Sequence, residues 1–272
     1  MIQKLFELGP ISISPFGVML MLAFFGAYFE LRRGLKLRGA GSEEDASALL
    51  LAAGGGGILG GKIYYALLPQ NSWRDLFSRS GIVWYGGFLL ATVLVIWVVR
   101  SRKLPVWPTL DAASLGLALG YGVGRIGCFL VGDDYGLPTS LPWGVAFKHG
   151  LPPTTPEHLE AMGVKLTPEM ATQEFLRVHP TQLYETAIAL VIWFLARRFF
   201  SRKPPAGDTA CLVLILLGLE RFGIEFLRVK DDRFFGPFTL AQGISITIVL
   251  VTSWLWLRRA SERRAPSQKG AA

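Results

Sequence analysis

Seven stretches of the chain, near residues 14–31, 47–68, 82–99, 109–131, 182–200, 209–227 and 237–257, are long and mainly apolar. A helix needs roughly 20 such residues to cross the hydrocarbon core of a bilayer. Lipid also leaves the backbone no hydrogen-bond partner but itself, so spanning segments of this kind are helices. The expectation is therefore an all-α integral membrane protein with about seven transmembrane helices. The first run carries no small-residue cleavage site after it and reads as a retained helix, not a signal peptide.

Charge patterning gives an orientation. Lysine and arginine crowd the cytoplasmic connections of membrane proteins. Sixteen basic residues fall on one side: Arg32, Arg33, Lys36, Arg38, Arg100, Arg102, Lys103, Arg197, Arg198, Arg202, Lys203, Arg258, Arg259, Arg263, Arg264 and Lys269. Nine fall on the other: Lys4, Arg74, Arg79, Lys148, Lys165, Arg177, Arg228, Lys230 and Arg233. The N-terminus is expected outside and the C-terminus in the cytoplasm. One membrane domain over 1–259 would include a proline-rich outer loop or cap at 132–181, between the fourth and fifth spans. A basic, disordered tail would occupy 260–272. The formal charge of +8 resides in these connections, so no nucleic-acid partner is expected. Cys128 and Cys211 lie far apart in apolar runs and suggest neither a disulfide framework nor a metal site.

Lys62, Arg125 and Arg221 fall inside the spans. An intramembrane charge is expensive and needs a partner or a task. Arg125 follows Gly116, Gly120 and Gly124, a stripe that lets a helix or a lipid approach closely. Its planar, permanently charged fork suits a phosphate; a salt bridge to Asp133 or Glu185 is the other reading. Arg221, Glu225 and Arg228 recur at i, i+4 and i+7 and should form one ladder on the sixth span, with Glu220 off that face. His179-Pro180-Thr181-Gln182-Leu183-Tyr184-Glu185 opens the fifth span. His179, Gln182 and Glu185 fall near one face and offer a base, an amide and a carboxylate; capping and loop anchoring would use the same residues.

Together these segments resemble the prolipoprotein diacylglyceryl transferase family of bacterial inner membranes. The family signature G-R-x-G-N-F-x-N-x-E-x-x-G aligns with Gly124-Arg125-Ile126-Gly127-Cys128-Phe129-Leu130-Val131-Gly132-Asp133-Asp134-Tyr135-Gly136. The motif H-P-[ST]-Q-L-Y-E is complete at 179–185, and R-F-x-x-E-F-x-R at 221–228. Cys128, Val131 and Asp133 replace two asparagines and a glutamate. Tyr85-Gly86-Gly87 stands for H-G-G, Phe16 and Leu217 for tyrosines, and Lys62 for arginine.

The resemblance implies transfer of the diacylglyceryl group of phosphatidylglycerol to the lipobox cysteine of a prolipoprotein signal peptide, with release of glycerol phosphate. It implies a binding site for an anionic membrane lipid and calls for no metal or organic cofactor. Arg125 and Arg221 would hold the phosphate. His179 is the first candidate base and Tyr85 the second, although a tyrosine of pKa about 10 is a poor one. Gln182, Tyr184, Glu185, Gly136, Glu225, Arg228 and Asp133 would complete the substrate site. An inactive or re-purposed relative that binds lipid or prolipoprotein, and an anionic-lipid or anion transporter, are the alternatives.

Overall fold

A computed structural model of the chain describes residues 5–8, 11–68, 71–77, 81, 83–229, 233–235 and 238–264. Lys4, Arg79, Lys230 and Lys269 from the charge count lie outside them. Seven long helices occupy the seven expected stretches: α1 (Pro15–Arg38), α2 (Glu43–Ala66), α3 (Trp84–Ser101), α4 (Val106–Val131), α7 (Thr181–Ser201), α8 (Asp208–Ile224) and α9 (Leu240–Arg264). Two short helices, α5 (Pro156–Ala161) and α6 (Pro168–Ala171), lie in the connection between α4 and α7. Among the described residues the strands form two small antiparallel hairpins, β1 (Phe6–Leu8) with β2 (Ile11–Ile13) and β3 (Arg233–Phe235) with β4 (Phe238–Thr239).

Four helices, α1, α2, α4 and α9, are long and apolar enough to cross a membrane, and α3 adds a shorter apolar helix. Large side chains such as Phe25, Leu51, Trp97, Phe194, Leu250 and Trp254 are exposed. Such a surface suits a protein whose solvent is lipid.

The chain forms two compact units, the division falling within α1 and α4. The first unit in space, Tyr28–Ala113, is built on α2 and α3. Ser42 caps α2: its hydroxyl accepts from the Asp45 amide at 3.2 Å, and the Asp45 carboxylate accepts from the Ser42 amide at 2.7 Å. Glycines then let the two helices touch. A Cβ on Gly60 would collide with the Gly86 carbonyl, and one on Gly87 would come within 2.6 Å of the Gly57 carbonyl. The glycine run at 54–61 is thus a helix-packing surface. Leu35, Ala46 and Ala112 form the buried centre of this unit.

The second unit, Met1–Ala27 with Ser114–Ala272, holds the remaining helices. On α4 a Cβ at Gly116 would stand 2.9 Å from the Ala27 carbonyl of α1, and one at Gly122 would stand 3.2 Å from Ala189 of α7. Leu115, Ala118, Ile192, Ala196, Phe200 and Val213 pack where α4, α7 and α8 meet. The expected loop at 132–181 is a folded cap. Phe147 is fully buried there and stacks on Tyr135, with ring centroids 5.3 Å apart. Tyr135 is pushed up to about 12 by that burial.

One boundary differs from expectation. The segment 260–264 is helical, continuous with α9. Arg263 pairs with Asp208 at 3.0 Å and Arg259 donates to the Ala206 carbonyl at 2.7 Å, so the basic end of α9 is tied to the start of α8. Residues 265–272 lie outside the described set.

Gly55 and Gly60 test the packing. Nothing lies within 4 Å of a Cβ at Gly55. Gly60→Ala should destabilise the purified protein by about 2 kcal/mol through overpacking, while Gly55→Ala should gain about 1 kcal/mol of helix propensity. Thermal unfolding in detergent reads both signs; equal midpoints would contradict the contact.

Candidate active site

Two local devices bring distant charges together. Gly132 (φ +77°) and Asp134 (φ +57°) both adopt left-handed backbone just after α4, so the chain doubles back over its own last turn. Glycine and aspartate are among the residues that tolerate this conformation. The start of α7 then grips the returning strand: the Thr181 hydroxyl donates to the Asp134 carbonyl at 3.0 Å and the Gln182 amide to the Asp133 carbonyl at 2.5 Å. On the other side α8 ends at Ile224. Residues Glu225–Leu227 tighten into a 3₁₀ turn, and Arg228 becomes extended, bridging Gly136. The expected helical ladder from Arg221 to Arg228 is therefore broken after Glu225, although its contacts survive.

The result is one ion cluster. Arg125 meets Asp134 Oδ2 through Nη1 at 2.9 Å and Glu185 Oε2 through Nε at 3.2 Å. Arg228 meets Asp134 Oδ1 through Nη2 at 2.7 Å, Glu185 Oε1 through Nη1 at 3.6 Å and Glu225 Oε2 through Nε at 3.8 Å. Arg221 joins through Glu225 at 2.5 Å. Three guanidiniums thus face three carboxylates. Glu185 and Glu225 are buried, while the Asp134 side chain is 46% exposed. The carboxylate partner of Arg125 is thus Glu185, as one reading anticipated, and Asp134, its neighbour in sequence to the anticipated Asp133. Arg125 and Arg221 do not touch. The guanidinium beside Arg125 is Arg228, and Arg221 is one carboxylate further on.

There is room beside one outer member. A Cβ on Gly124, next to Arg125, would meet nothing within 4 Å. Gly223 also meets nothing, but it lies with the exposed Leu219 and Phe226 on the face of α8 turned away from Arg221. Gly136 is the opposite case. A Cβ there would meet the Leu227 carbonyl, the Thr181 methyl and the His179 Cβ within 2.8 Å, so a side chain would force the two segments apart.

The remaining expected residues surround the cluster. His179 is half-buried and its Nδ1 lies 3.3 Å from the Tyr184 hydroxyl. That hydroxyl accepts from Trp143 Nε1 at 2.7 Å, which leaves its own hydrogen for His179. Burial lowers the His179 pKa below its ordinary 6.5. Its main chain bonds Gly136 and Leu137 on both sides, at 2.9 and 3.0 Å, so anchoring is part of its role. Tyr85 opens α3 and belongs to the other unit.

Burial raises the Asp133 pKa. For Asp134 burial acts upward too, but Arg228 and Arg125 outweigh it and hold the carboxyl below its usual range. Cys128, Asp133 and Asp134 bring a sulfur and two carboxylates within 4.8 Å of one another. Both Asp134 oxygens are already engaged by guanidiniums, so this grouping is poorly placed for a cation.

Sequence reasoning missed Asp134, which occupies an unspecified position of the signature. It also missed Tyr121, whose hydroxyl lies 3.0 Å from Glu185 and 3.4 Å from Glu220, under the Arg125 guanidinium at 5.3 Å. Spacing alone offered a hint, because Tyr121 and Arg125 are four apart on one helix. Thr239 donates to Glu225 at 3.0 Å and had no signal in the sequence.

A family model described as prolipoprotein diacylglyceryl transferase matches residues 3–258. Proteins named phosphatidylglycerol–prolipoprotein diacylglyceryl transferase are similar along nearly their whole length. That of Paraburkholderia phymatum is 32% identical over 98% of this chain and 96% of its own. That of Xanthomonas axonopodis pv. citri is 34% identical over 96% and 91%, and that of Mannheimia succiniciproducens 30% identical over 96% and 93%.

Glu185 should be the keystone of the cluster. Glu185→Ala would strand two buried guanidiniums and cost about 3–5 kcal/mol, against under about 1 kcal/mol for Asp134→Asn at the exposed edge. Heat-induced loss of the monodisperse peak in size-exclusion chromatography ranks the two; the opposite order would displace Glu185 from the centre.

Proposed function

This chain belongs to the prolipoprotein diacylglyceryl transferase family, and from that premise we propose how its residues carry the reaction. The protein is a membrane enzyme that transfers the diacylglyceryl group of phosphatidylglycerol to prolipoprotein. We further read it as a seven-span, single-domain protein of the bacterial inner membrane, with the N-terminus and the 132–181 cap outside. The acceptor is the lipobox cysteine of a signal peptide. The transporter and inactive-relative readings are not favoured, since the relatives matched along the whole chain are named as transferases.

The observation that carries the site reading is the cluster of Arg125, Arg228 and Arg221, with space beside Arg125 at Gly124. A lipid phosphate held there leaves its acyl chains in hydrocarbon. The precursor thiolate attacks the glycerol carbon that carries the phosphate ester. The C–S bond forms as the C–O bond breaks, and glycerol phosphate leaves with the bonding electrons. The thiol proton goes to a base. Charge grows on the departing phosphate, and fixed guanidiniums stabilise that growth without reorganising. Arginine suits this work because it cannot lose its proton. His179 is the proposed base and Tyr85 an orienting hydroxyl. Gln182 and Tyr184 hold the loop and the ring of His179, while Glu185, Glu225 and Asp133 set the field around the arginines.

A reconstituted assay with phosphatidylglycerol and a lipobox peptide, read as a diacylglyceryl mass gain on the cysteine, tests this. Arg125→Ala and Arg221→Ala should each lower turnover at least about a hundredfold while the protein still inserts. Full activity in either removes that arginine from the chemistry. His179→Ala should fail and Tyr85→Phe should be milder; the reverse ranking reassigns the base.

The pH dependence follows from the lowered pKa of His179. A base must be unprotonated, and this ring loses its proton below its ordinary 6.5. The rate should be flat from neutral pH upward and fall only on acidification below that value, and whatever residual rate His179→Gln retains should lack the acid limb. A limb centred above pH 7 would point to another group.

A further inference from the structure

Asp134 is the member of the cluster that differs from the rest. Glu185 and Glu225 are buried and held between helices, whereas the Asp134 side chain is 46% exposed. Its two oxygens bridge two guanidiniums from separate segments, Arg125 at 2.9 Å and Arg228 at 2.7 Å. One anion with two oxygens spanning two forks is the arrangement a phosphodiester would make.

The rest of the cluster is incompletely bonded without it. Arg228 is almost buried, with 5% of its side chain exposed, and its Nη1 and Nε have no hydrogen-bond partner. They lie 3.6 and 3.8 Å from Glu185 and Glu225, too far for good hydrogen bonds. The short bond of this guanidinium is the one to Asp134. Charge agrees with geometry. Three guanidiniums face Asp134, Glu185 and Glu225, and Tyr121 holds Glu220 at 3.4 Å beside them, so the cluster has no positive charge to spare for an added phosphodiester monoanion. Exchange of that monoanion for the carboxylate of Asp134, which reaches solvent, adds no charge to the cluster.

We infer that the Asp134 carboxylate occupies the place of the lipid phosphate between Arg125 and Arg228 in the resting protein, and that a phosphodiester headgroup enters by displacing it. Asp134 is then a specificity-determining residue: it demands a ligand anionic enough to take over both guanidiniums. This rests on the reading of the cluster as the lipid site. The displacement is a side-chain rotation. The backbone stays pinned, since the Asp134 carbonyl accepts from Thr181 and the Gly136 amide donates to the His179 carbonyl.

Asp134→Asn tests the exchange. Asparagine keeps the shape and tolerates the left-handed backbone at φ +57°, but its amide nitrogen cannot accept from a second guanidinium. Phosphatidylglycerol in mixed micelles should bind the purified variant about tenfold more tightly than the parent protein, the loss of one competing charge-assisted contact, and KM should fall with it. Asp133→Asn removes a neighbouring charge without touching the bridge and should shift binding far less. Unchanged or weaker lipid binding by Asp134→Asn overturns the inference. So does an equal shift in Asp133→Asn, which would show general electrostatics. Glycerol phosphate is measured in parallel; tightening for it alone would assign the position to the product and overturn the lipid assignment. If the parent protein neither binds phosphatidylglycerol nor transfers from it, the lipid-site reading fails instead.

Discussion

The structure around the site depends on one buried carboxylate. Glu185 sits in the first turns of α7 with no exposed surface. It faces Arg125 from α4, Arg228 from the strand beyond α8, and the Tyr121 hydroxyl at 3.0 Å. Moving a carboxylate or a guanidinium into a low-dielectric interior costs several kcal/mol each, and only mutual pairing recovers it. None of these groups can therefore settle alone. Their helices must arrive together, and once arrived they fix one another in register. The His-Pro turn before α7 serves the same end. Pro180 starts the helix, and His179 ties its entry to Gly136 and Leu137. The short cap hydrogen bonds and the long ion pairs are parts of one constraint.

That constraint explains which features were legible in the sequence. Helix positions could be read because crossing hydrocarbon imposes a length, and each of the seven apolar runs carries a helix, four of them long and apolar enough to cross a membrane. Arg125, Glu185 and Glu225 could be read because charges inside apolar runs need partners, and Arg228 because it recurs at i+7 from Arg221. What could not be read was the partner choice. Asp133 and Asp134 are adjacent and chemically alike, and the left-handed turn decides between them. It sends Asp134 toward both arginines and leaves Asp133 with its carbonyl on Gln182. Likewise a helix continued to Leu227 is a fair reading of the period. The 3₁₀ turn that frees Arg228 is imposed by pairing with Gly136, a residue some ninety positions earlier. Tyr121 and Thr239 owe their places wholly to tertiary packing.

The glycines show how packing and chemistry share one helix. In lipid, helices gain little from hiding apolar side chains, so close approach through small residues takes that role. On α4, Gly116 admits α1 and Gly122 admits α7. Those contacts set Tyr121 and Arg125 between the neighbours. Gly124 lies on the same helix yet faces no neighbour within 4 Å. A glycine stripe read from spacing alone predicts packing at every member. Of Gly116, Gly120 and Gly124, the first two lie against Ala23 and Ala27 of α1, and the one beside the arginine leaves space.

The electrostatics of the cluster then fit the demands of the reaction. A phosphodiester enters with one negative charge and leaves as a monoester carrying more. A site whose guanidiniums were fully satisfied would bind the first and gain nothing from the second. Here Arg228 holds Glu185 and Glu225 at 3.6 and 3.8 Å, contacts that supply charge neutrality without using up its donors. Arg221 keeps Glu225 close while its own side chain remains a quarter exposed. Arg228 is thus neutralised at long range but under-bonded at short range. That combination makes it affordable inside a membrane protein and, on the proposed reading of the site, responsive to charge that appears only as the C–O bond breaks.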